Sequence, residues 1–223
     1  PVKCVKYLGV YLDNFLSWNT PILQLSKRLR RANGILSKLH HSAPLEACLQ
    51  VYYSIFYSHL IYNCNIWGLT SAENIKKIEV LQKKCLRIMT FSDFNCHTNL
   101  LFYNLKLLKV RDIIKSQQLK LVYEFRNGQL PTKLQKLFRF NSDIHSYGTR
   151  SASNSLLYIP RISTSNYGIN SVKFYFPTLW NLLVKNGISI DRNVENKISI
   201  DSINNIHHFK RILKKHYLFK SVL

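Results

Sequence analysis

The sequence predicts a mainly α-helical protein that begins with a short β-hairpin. Apolar residues recur at spacings of three and four over long stretches, which is the period of one helix face. Of the 223 residues, 46% are hydrophobic and only 7 are Gly and 6 Pro, so the composition is that of a folded domain and not of a disordered tail. After residue 140 the pattern loosens, which favours a mixed, loop-rich C-terminal part with further helices.

The hairpin is predicted near the start of the sequence, where residues 5–18 read VKYLGVYLDNFLSW. Tyr7 favours a strand, and Gly9 permits close approach of the backbone to a partner. Asp13-Asn14 is a turn signal. We therefore expect a short β-hairpin here.

Thr20 and Pro21 predict the start of a first long helix, as N-cap and first helical residue. One face of this helix is apolar and is formed by Ile22, Leu25, Leu29, Ala32, Leu36 and Leu39. The opposite face is basic and carries Lys27, Arg30, Arg31 and Lys38, with Arg28 at its flank. One face therefore suits a protein core and the other suits anions.

Pro44 opens a second predicted helix that ends near Trp67. Its segment VYYSIFYSHLIYNCNIWG is apolar nearly all round, which predicts a central, buried helix. Its aromatic residues are interpreted as core residues, with base stacking as the alternative. They are Tyr52, Tyr53, Phe56 and Tyr57.

Ser71 is the predicted cap of a third helix, with Glu73 in the first turn, where the helix dipole favours an acid. The inner stripe of this helix consists of Ile75, Ile78, Cys85, Leu86 and Met89. A second basic set lies on its far side and consists of Lys76, Lys83 and Arg87, flanked by Lys77 and Lys84.

More helices are expected further along the chain. They are a short helix capped by Thr98 and helices over residues 110–126, 172–185 and 205–219. Residues 141–170 show no sustained period and are interpreted as loops. We divide the chain into residues 1–18, 19–130 and 131–223.

The charge balance indicates a polyanionic partner. There are 32 Lys+Arg against 11 Asp+Glu, for a net charge of +21, and the excess is spread over the whole chain. A field of this size favours nucleic acid or an anionic membrane surface. Basic residues alternate with apolar ones inside predicted helices, as in a folded binding surface, and we favour nucleic acid.

No motif for a catalytic or metal centre is visible. The sequence lacks a phosphate-binding glycine loop, a nucleophile elbow and the spacing of a zinc module, and Cys85, Cys96 and His97 do not supply one. Its aspartates are scattered and form no adjacent pair, unlike the carboxylates of two-metal sites. They are Asp13, Asp93, Asp112, Asp143, Asp191 and Asp201. We expect no catalytic residue, no metal site and no cofactor in this chain.

The compartment is expected to be intracellular, without a membrane partner. The five cysteines have no regular spacing, and three lie in helix-like stretches, as reduced thiols do. No signal peptide opens the sequence, and no uninterrupted apolar run reaches the ~18 residues of a membrane span. The first residue is Pro1 and the single methionine is Met89, so we expect a piece of a longer reading frame.

Six segments occur in a distinctive order: VKYLGVYLDNFLSW, VYYSIFYSHLIYNCNIWG, VLQKKCLRIMT, EFRNGQLP, HSYGTR and LWNLL. Together they resemble the C-terminal part of the reverse transcriptase of non-LTR, LINE-type retrotransposons, and the jockey-like group in particular. The resemblance extends to about residue 187, whereas residues 188–223 match nothing.

The resemblance implies that residues 1–18 are the end of the palm with the primer grip, and that residues 19–130 are the helical thumb and its extension. Tyr7, Leu8 and Gly9 would shape the grip, with Gly9 letting the backbone approach the primer. A thumb follows the template–primer duplex through its phosphates. The residues implied in those contacts are Lys27, Arg28, Arg30, Arg31 and Lys38, and then Lys76, Lys83, Lys84 and Arg87.

The resemblance also implies what lies outside this sequence. The Tyr-x-Asp-Asp catalytic loop, the fingers and the endonuclease domain of the family are absent from it, so this chain alone is expected to polymerise nothing. The complete enzyme would be an RNA-directed DNA polymerase that uses Mg²⁺ in target-primed synthesis. The expected partners are RNA and DNA, as template–primer duplex, and the missing palm and fingers of the same polyprotein, in the nucleus.

Two alternatives remain open. The chain could be a non-enzymatic nucleic-acid-binding protein derived from a decayed or co-opted retroelement. It could also be a helical module whose basic faces bind an acidic protein or an anionic membrane. Counterion release on DNA or RNA is predicted only by the two hypotheses in which the chain binds nucleic acid.

Overall fold

The computed structural model describes residues 4–13, 17–144, 156–164, 167–189, 197–198, 203 and 205–220. The mainly α prediction is confirmed, because a short antiparallel hairpin precedes a succession of helices. The chain divides into two compact units, Pro1–Ile114 and Lys115–Ser221. The three-part division at residues 18 and 130 stays a prediction.

The first unit contains the hairpin and most of the longer helices. Its strands are β1 (Cys4–Tyr7) and β2 (Val10–Asp13). Its helical segments are α1 (Asn19–Leu39), α2 (Leu45–Val51), a π-helical segment (Tyr52–Tyr57), α3 (Ser58–Ile61), α4 (Cys64–Trp67), α5 (Ala72–Met89) and α6 (Thr98–Asn104). Helix α7 (Val110–Arg126) begins in this unit and ends in the other.

The hairpin turns at Leu8 and Gly9, so the turn expected at Asp13-Asn14 is wrong. Strands β1 and β2 pair with Tyr7 opposite Val10, and φ is +44° at Leu8 and +79° at Gly9. Two central residues with positive φ are typical of the two-residue turn that suits the twist of a hairpin. Asp13 ends β2, and its carboxylate accepts hydrogen bonds at 2.7 Å from both the backbone N–H and the hydroxyl of Ser17.

The core of the first unit forms where α1 packs along α5. The predicted apolar stripes of both helices are buried, apart from Leu39 at the end of α1, which is half-buried. Asn33 donates from its amide to the backbone oxygen of Leu81 at 3.0 Å, which satisfies a polar group inside the helix contact. Within this core, burial raises the pKa of the Cys64 thiol to about 12.

The second predicted helix is neither continuous nor buried all round. It is interrupted after Ile61, where Asn63 has φ +51°, and its middle turn is a π-helix. Its buried residues recur mostly every four positions. A π turn, which is wider than the 3.6 residues of an α-helical turn, helps to keep residues at this spacing on one face. They are Cys48, Tyr52, Phe56, Leu60, Cys64 and Trp67. Tyr53 is 42% exposed, so the expectation that it packs in the core is wrong.

Helix starts follow the sequence to within two residues. Ser71 caps α5 as predicted, because its hydroxyl accepts the backbone N–H of Asn74 at 3.4 Å. Helix α1 begins at Asn19, after Trp18 in a left-handed conformation, and not after a Thr20 cap. Thr98 is the buried first residue of α6, and His97 occupies the cap position.

A buried glutamine, Gln82, joins three parts of the first unit. Its amide nitrogen donates to the Tyr52 hydroxyl at 3.0 Å and to the Leu108 backbone oxygen at 2.9 Å. Its amide oxygen accepts the backbone N–H of Val110 at 3.0 Å. Gln82 therefore ties the π-helical segment and the start of α7 to α5, with each polar atom paired in the core.

The second unit contains the end of α7, α8 (Thr132–Gln135), a 3₁₀ turn (Asn141–Asp143), α9 (Val172–Asn186), β3 (Ile188–Ser189), β4 (Lys197–Ile198) and α10 (Ile206–Lys220). Tyr123 of α7 stacks on Phe209 of α10 with ring centroids 4.4 Å apart, and its hydroxyl donates to the Ile203 carbonyl at 2.7 Å. The Asn181 amide of α9 pairs with both backbone groups of Leu157, at 2.9 and 2.7 Å. The helices predicted over 110–126, 172–185 and 205–219 are confirmed to within one residue.

We expect Gly68→Ala to destabilise the protein. A β-carbon at Gly68 would lie 2.3 Å from the Cys64 carbonyl oxygen and 2.6 Å from a methyl group of Ile114. Overpacking of this kind costs about 1–3 kcal/mol in the free energy of unfolding. The control is Gly34→Ala in α1, where no atom lies within 4 Å and the better helix former adds roughly 0.5–1 kcal/mol. Urea unfolding measures both, and equal stability of the two variants would contradict the packing at Gly68.

We expect Gln82→Leu to cost more than Tyr52→Phe. The leucine leaves the buried Leu108 carbonyl and Val110 N–H without their partner, and each orphaned group costs about 1–3 kcal/mol. Tyr52→Phe removes one hydroxyl while Gln82 keeps both backbone partners, at a cost of about 1 kcal/mol. Urea unfolding gives both free energies, and a Gln82→Leu variant no less stable than Tyr52→Phe would refute the bridging role.

Candidate nucleic-acid interface

The outward face of α1 is a surface of cations. Lys27, Arg30, Arg31 and Lys38 are exposed there, and Arg28 is half-buried beside them. The cause is local, because the opposite face of the same helix is occupied by the apolar stripe that packs in the core. No carboxylate lies on α1 to neutralise the cations, since its sequence contains no Asp or Glu. The face can therefore attract phosphates.

The hairpin and α1 meet at a cleft, which we call the grip cleft. It is lined by Gly9, Tyr11, Arg28, His59 and Tyr62, among others. Arg28 therefore lies at the same opening as the hairpin turn. The structure brings together two features that the sequence placed about 19 residues apart, the predicted primer grip and the first basic cluster.

Tyr62 anchors the hairpin turn to the helical part of the unit. Its hydroxyl donates to the backbone oxygen of Leu8, and its own carbonyl accepts the indole N–H of Trp67 at 2.9 Å. Its ring also lies 3.5 Å from the position that a β-carbon on Gly9 would occupy. Since Trp67 is buried, the turn is held through Tyr62 to the core.

The tip of the hairpin is apolar and open to solvent. Tyr7 is 64% exposed and Leu8 is 71% exposed. Leu8 also has positive φ, a conformation that is unfavourable for a branched apolar residue and is found mostly at functional sites or turns. The three predicted grip residues, Tyr7, Leu8 and Gly9, thus form one projecting turn. Their contact with a primer stays a prediction.

The basic face of α5 is only partly available. Lys76, Lys83 and Lys84 are exposed, as the sequence predicts for solvent-facing cations. Arg87 is half-buried, and its Nε and Nη2 donate to the Cys96 carbonyl at 3.2 and 2.9 Å. Arg87 therefore holds the loop after α5, and two of its donors are occupied. Binding of nucleic acid by these four residues stays a prediction.

The side chain of His59, in the grip cleft, has a pKa below its ordinary value. Partial burial lowers its pKa, and the positive charge of Arg28 lowers it further. Both effects disfavour the protonated ring. His59 is therefore a neutral side chain beside a permanent cation at neutral pH, and a bound phosphate would reverse the second effect.

The part of the chain that the structure describes shows neither a metal-binding cluster nor a membrane-spanning helix. Among the described residues, no three His, Cys, Asp or Glu side chains lie close enough together to hold a metal ion. In the same residues, no helix combines the length and the apolar character needed to cross a bilayer.

Sequence reasoning missed Tyr62 and His59. Both lie in the segment interpreted as a buried helix, yet both line the grip cleft, and Tyr62 follows the end of α3 just before the break at Asn63. The signal was the pair Asn63 and Asn65, since Asn tolerates positive φ and interrupts helices. A helix break at those two residues would have predicted Tyr62 at a helix end.

The chain is similar to curated RNA-directed DNA polymerases of mobile elements. It is 33% identical over 116 residues, 50% of this chain, to the probable RNA-directed DNA polymerase from transposon X-element of Drosophila melanogaster. It is 28% identical over 135 residues, 59% of this chain, to the RNA-directed DNA polymerase from mobile element jockey of Drosophila funebris. The jockey polymerase of Drosophila melanogaster is 27% identical over 137 residues, 60% of this chain.

These matches confirm the resemblance to non-LTR retrotransposon reverse transcriptases of the jockey type. The matched segments span only 13–15% of the length of the relatives. No protein-family model matches the chain. No solved structure matches it.

We expect acidification to destabilise the protein partly through His59. Its lowered pKa means that the unfolded chain, with an ordinary value of about 6.5, binds the proton more readily, so stability falls as the pH falls below that value. In His59→Gln, the loss of stability between about pH 7.5 and about pH 5.5 should be smaller. Arg28→Gln should reduce it only in part, because Arg28 is the lesser cause. Urea midpoints at the two pH values test this, and an unchanged difference in His59→Gln would exclude the residue.

Proposed function

We propose that this chain is the primer-grip, thumb and tail segment of a retrotransposon reverse transcriptase, and that it holds the template–primer duplex by its phosphates. One observation carries the proposal. In a chain similar to RNA-directed DNA polymerases, Arg28 of the basic helix α1 and Gly9 of the hairpin turn line the same cleft. A primer end at the turn would thus have its phosphates within reach of the α1 cations.

The mechanism is electrostatic positioning. Lys and Arg side chains that contact phosphates displace the counterions condensed on the nucleic acid, and the release of these ions supplies most of the binding free energy at low salt. Helix α1 is held rigidly by its packing on α5, so its outward cations keep a constant geometry along the duplex. Contacts of this kind fix register and orientation without reading base sequence. The proposed phosphate contacts are Lys27, Arg28, Arg30 and Arg31, with Lys38 further along the same helix.

The cations of α5 form the second proposed contact surface. Lys76, Lys83 and Lys84 are exposed along one helix of the same unit. Arg87 contributes mainly by fixing the adjoining loop, because the Cys96 carbonyl occupies two of its donors. Tyr62 has a positioning role, since it ties the Leu8 carbonyl at the turn to the buried Trp67.

We further propose that polymerisation, with its Mg²⁺, belongs to palm and finger segments of the same polyprotein and not to this chain, which has no Tyr-x-Asp-Asp sequence. The working compartment of such a protein is the nucleus, where the target DNA lies. A second candidate, a non-enzymatic nucleic-acid-binding protein derived from a retroelement, shares the same basic surfaces. Its distinguishing property would be the absence of any preference for RNA–DNA hybrid.

The decisive experiment is binding of the purified chain to labelled RNA–DNA hybrid, duplex DNA and single-stranded RNA across a salt series. A steep salt dependence with preference for the hybrid supports the thumb function. A steep dependence without preference supports the second candidate. No binding at low salt by a folded sample would refute both and direct attention to an acidic protein or an anionic membrane.

We expect replacement of the α1 cluster Lys27, Arg28, Arg30 and Arg31 by Gln to weaken binding and to flatten its salt dependence. Each lost phosphate contact lowers the slope of log K against log salt by about 0.9 on duplex DNA. The matched control replaces four exposed cations of the second unit by Gln, with the same change of net charge. These are Lys133, Lys136, Arg139 and Lys185. Equal flattening in both variants would mean that net charge acts without a defined interface.

A further inference from the structure

A second cleft lies at the C-terminal end of α5, and we call it the aromatic cleft. It has a volume of about 250 Å³ and is lined by His40, Lys84, Arg87, Ile88, Phe91 and Phe94, with Ser92. It is part of the first unit but shares none of its lining residues with the grip cleft. The grip and the α1 phosphate contacts leave this cleft without a role.

Two phenylalanines of the loop after α5 project into solvent beside it. Phe94 is 82% exposed and Phe91 is 66% exposed. The His40 ring lies 4.5 Å from the Phe91 ring, centroid to centroid, so planar side chains are grouped here. Exposed aromatic surface that is gathered in one place marks a binding site more often than a solvated surface.

Phe91 occupies a backbone position that favours glycine. Its φ is +51°, its N–H reaches the Ile88 carbonyl at 3.4 Å, and the Ser92 N–H bonds the Arg87 carbonyl at 3.1 Å. This pattern is the Schellman ending of a helix, in which the residue with positive φ is usually Gly. A bulky side chain at such a position costs free energy that a glycine would avoid. The turn itself does not need the benzyl group of Phe91, which is therefore available to bind a ligand.

The loop is held in place before any ligand arrives. Arg87 donates twice to the Cys96 carbonyl, and its guanidinium lies 5.9 Å from the centre of the Phe94 ring. The Thr90 hydroxyl is 2.9 Å from the Leu86 carbonyl and 2.7 Å from the Ser92 hydroxyl. A prearranged loop loses little conformational entropy on binding.

The charges at the cleft select the kind of occupant. Lys84 and Arg87 line it, whereas the single acidic residue of the loop, Asp93, does not. Flat aromatic faces next to cations are the combination that binds unpaired nucleobases, because the base stacks and its phosphate pairs with the cation. A neutral apolar peptide would not use the cations.

We propose that the aromatic cleft stacks an unpaired nucleobase of a single-stranded segment, with Phe94 and Phe91 as the stacking platform and Lys84 as the phosphate contact. The proposal rests on the proposed function, since the basic helix faces carry the rest of the strand. It assigns to Phe91 and Phe94 the stacking role that the sequence offered as an alternative for Tyr52, Tyr53, Phe56 and Tyr57. Of those four rings, Tyr52 and Phe56 are buried and unavailable.

The test compares binding of the full chain to a single-stranded oligonucleotide and to an abasic strand of equal length, which keeps the phosphates and removes the bases. The native chain should bind the strand with bases more tightly, by about 5-fold to about 100-fold for one stacked base. Phe94→Ala should remove most of that difference and leave abasic binding unchanged. Phe94→Trp should restore it, and Leu100→Ala, at another exposed apolar residue, should not change it.

Phe91→Gly supplies a variant that stays folded, because the glycine relieves the positive φ. It should bind the strand with bases more weakly, while its thermal midpoint does not fall. An oligonucleotide containing 2-aminopurine gives an independent signal, since its fluorescence should be quenched by the native chain and not by Phe94→Ala.

The outcomes separate the two proposals. Equal binding of both strands by the native chain, or full base-dependent binding by Phe94→Ala, would overturn the stacking site and leave phosphate binding intact. Absence of binding to either strand at low salt would also overturn the stacking site, while the salt titrations on RNA–DNA hybrid and duplex DNA decide the proposed function separately.

Discussion

The first unit depends on the buried amide of Gln82. Its two polar atoms meet the Tyr52 hydroxyl in the π-helical segment and, at the start of α7, the Leu108 carbonyl and the Val110 N–H. An amide with all three partners in a core is stabilising, whereas a missing partner would leave a costly orphan. The π-helical segment and the start of α7 can therefore approach α5 in only one way. The basic face of α5 lies on one of the elements that this bond network joins.

Burial on one side of each helix produces the cationic surfaces on the other. The stripe from Ile22 to Leu36 packs in the core, and the opposite face of α1 is left to solvent. Lysine and arginine occupy much of that face, so α1 is both a core element and a basic surface. The same arrangement in α5 places Lys83 and Lys84 outward. The residues that pack in the core and the residues proposed to bind phosphates thus lie on opposite faces of the same helix.

Departures from regular helix geometry occur where the proposed contacts lie. The break at Asn63 releases Tyr62 toward the hairpin turn, and positive φ values occur at Leu8 and Phe91. Side chains of a regular helix point in directions that are fixed by the helix period, so a residue such as Tyr62 reaches the hairpin turn only where the helix is interrupted. Unusual backbone conformations at Leu8, Asn63 and Phe91 therefore position side chains of the proposed interface.

The sequence by itself determined the extent of most of the longer helices, the inward stripes and the basic faces, because helix period and capping are local properties. It also indicated the mobile-element polymerase resemblance. The tertiary structure alone decided that Tyr53, Phe91 and Phe94 are exposed, and that Arg28 lines the same cleft as the hairpin turn. Burial and juxtaposition depend on contacts between residues far apart in the chain, and no local period encodes which of several apolar faces the core will cover.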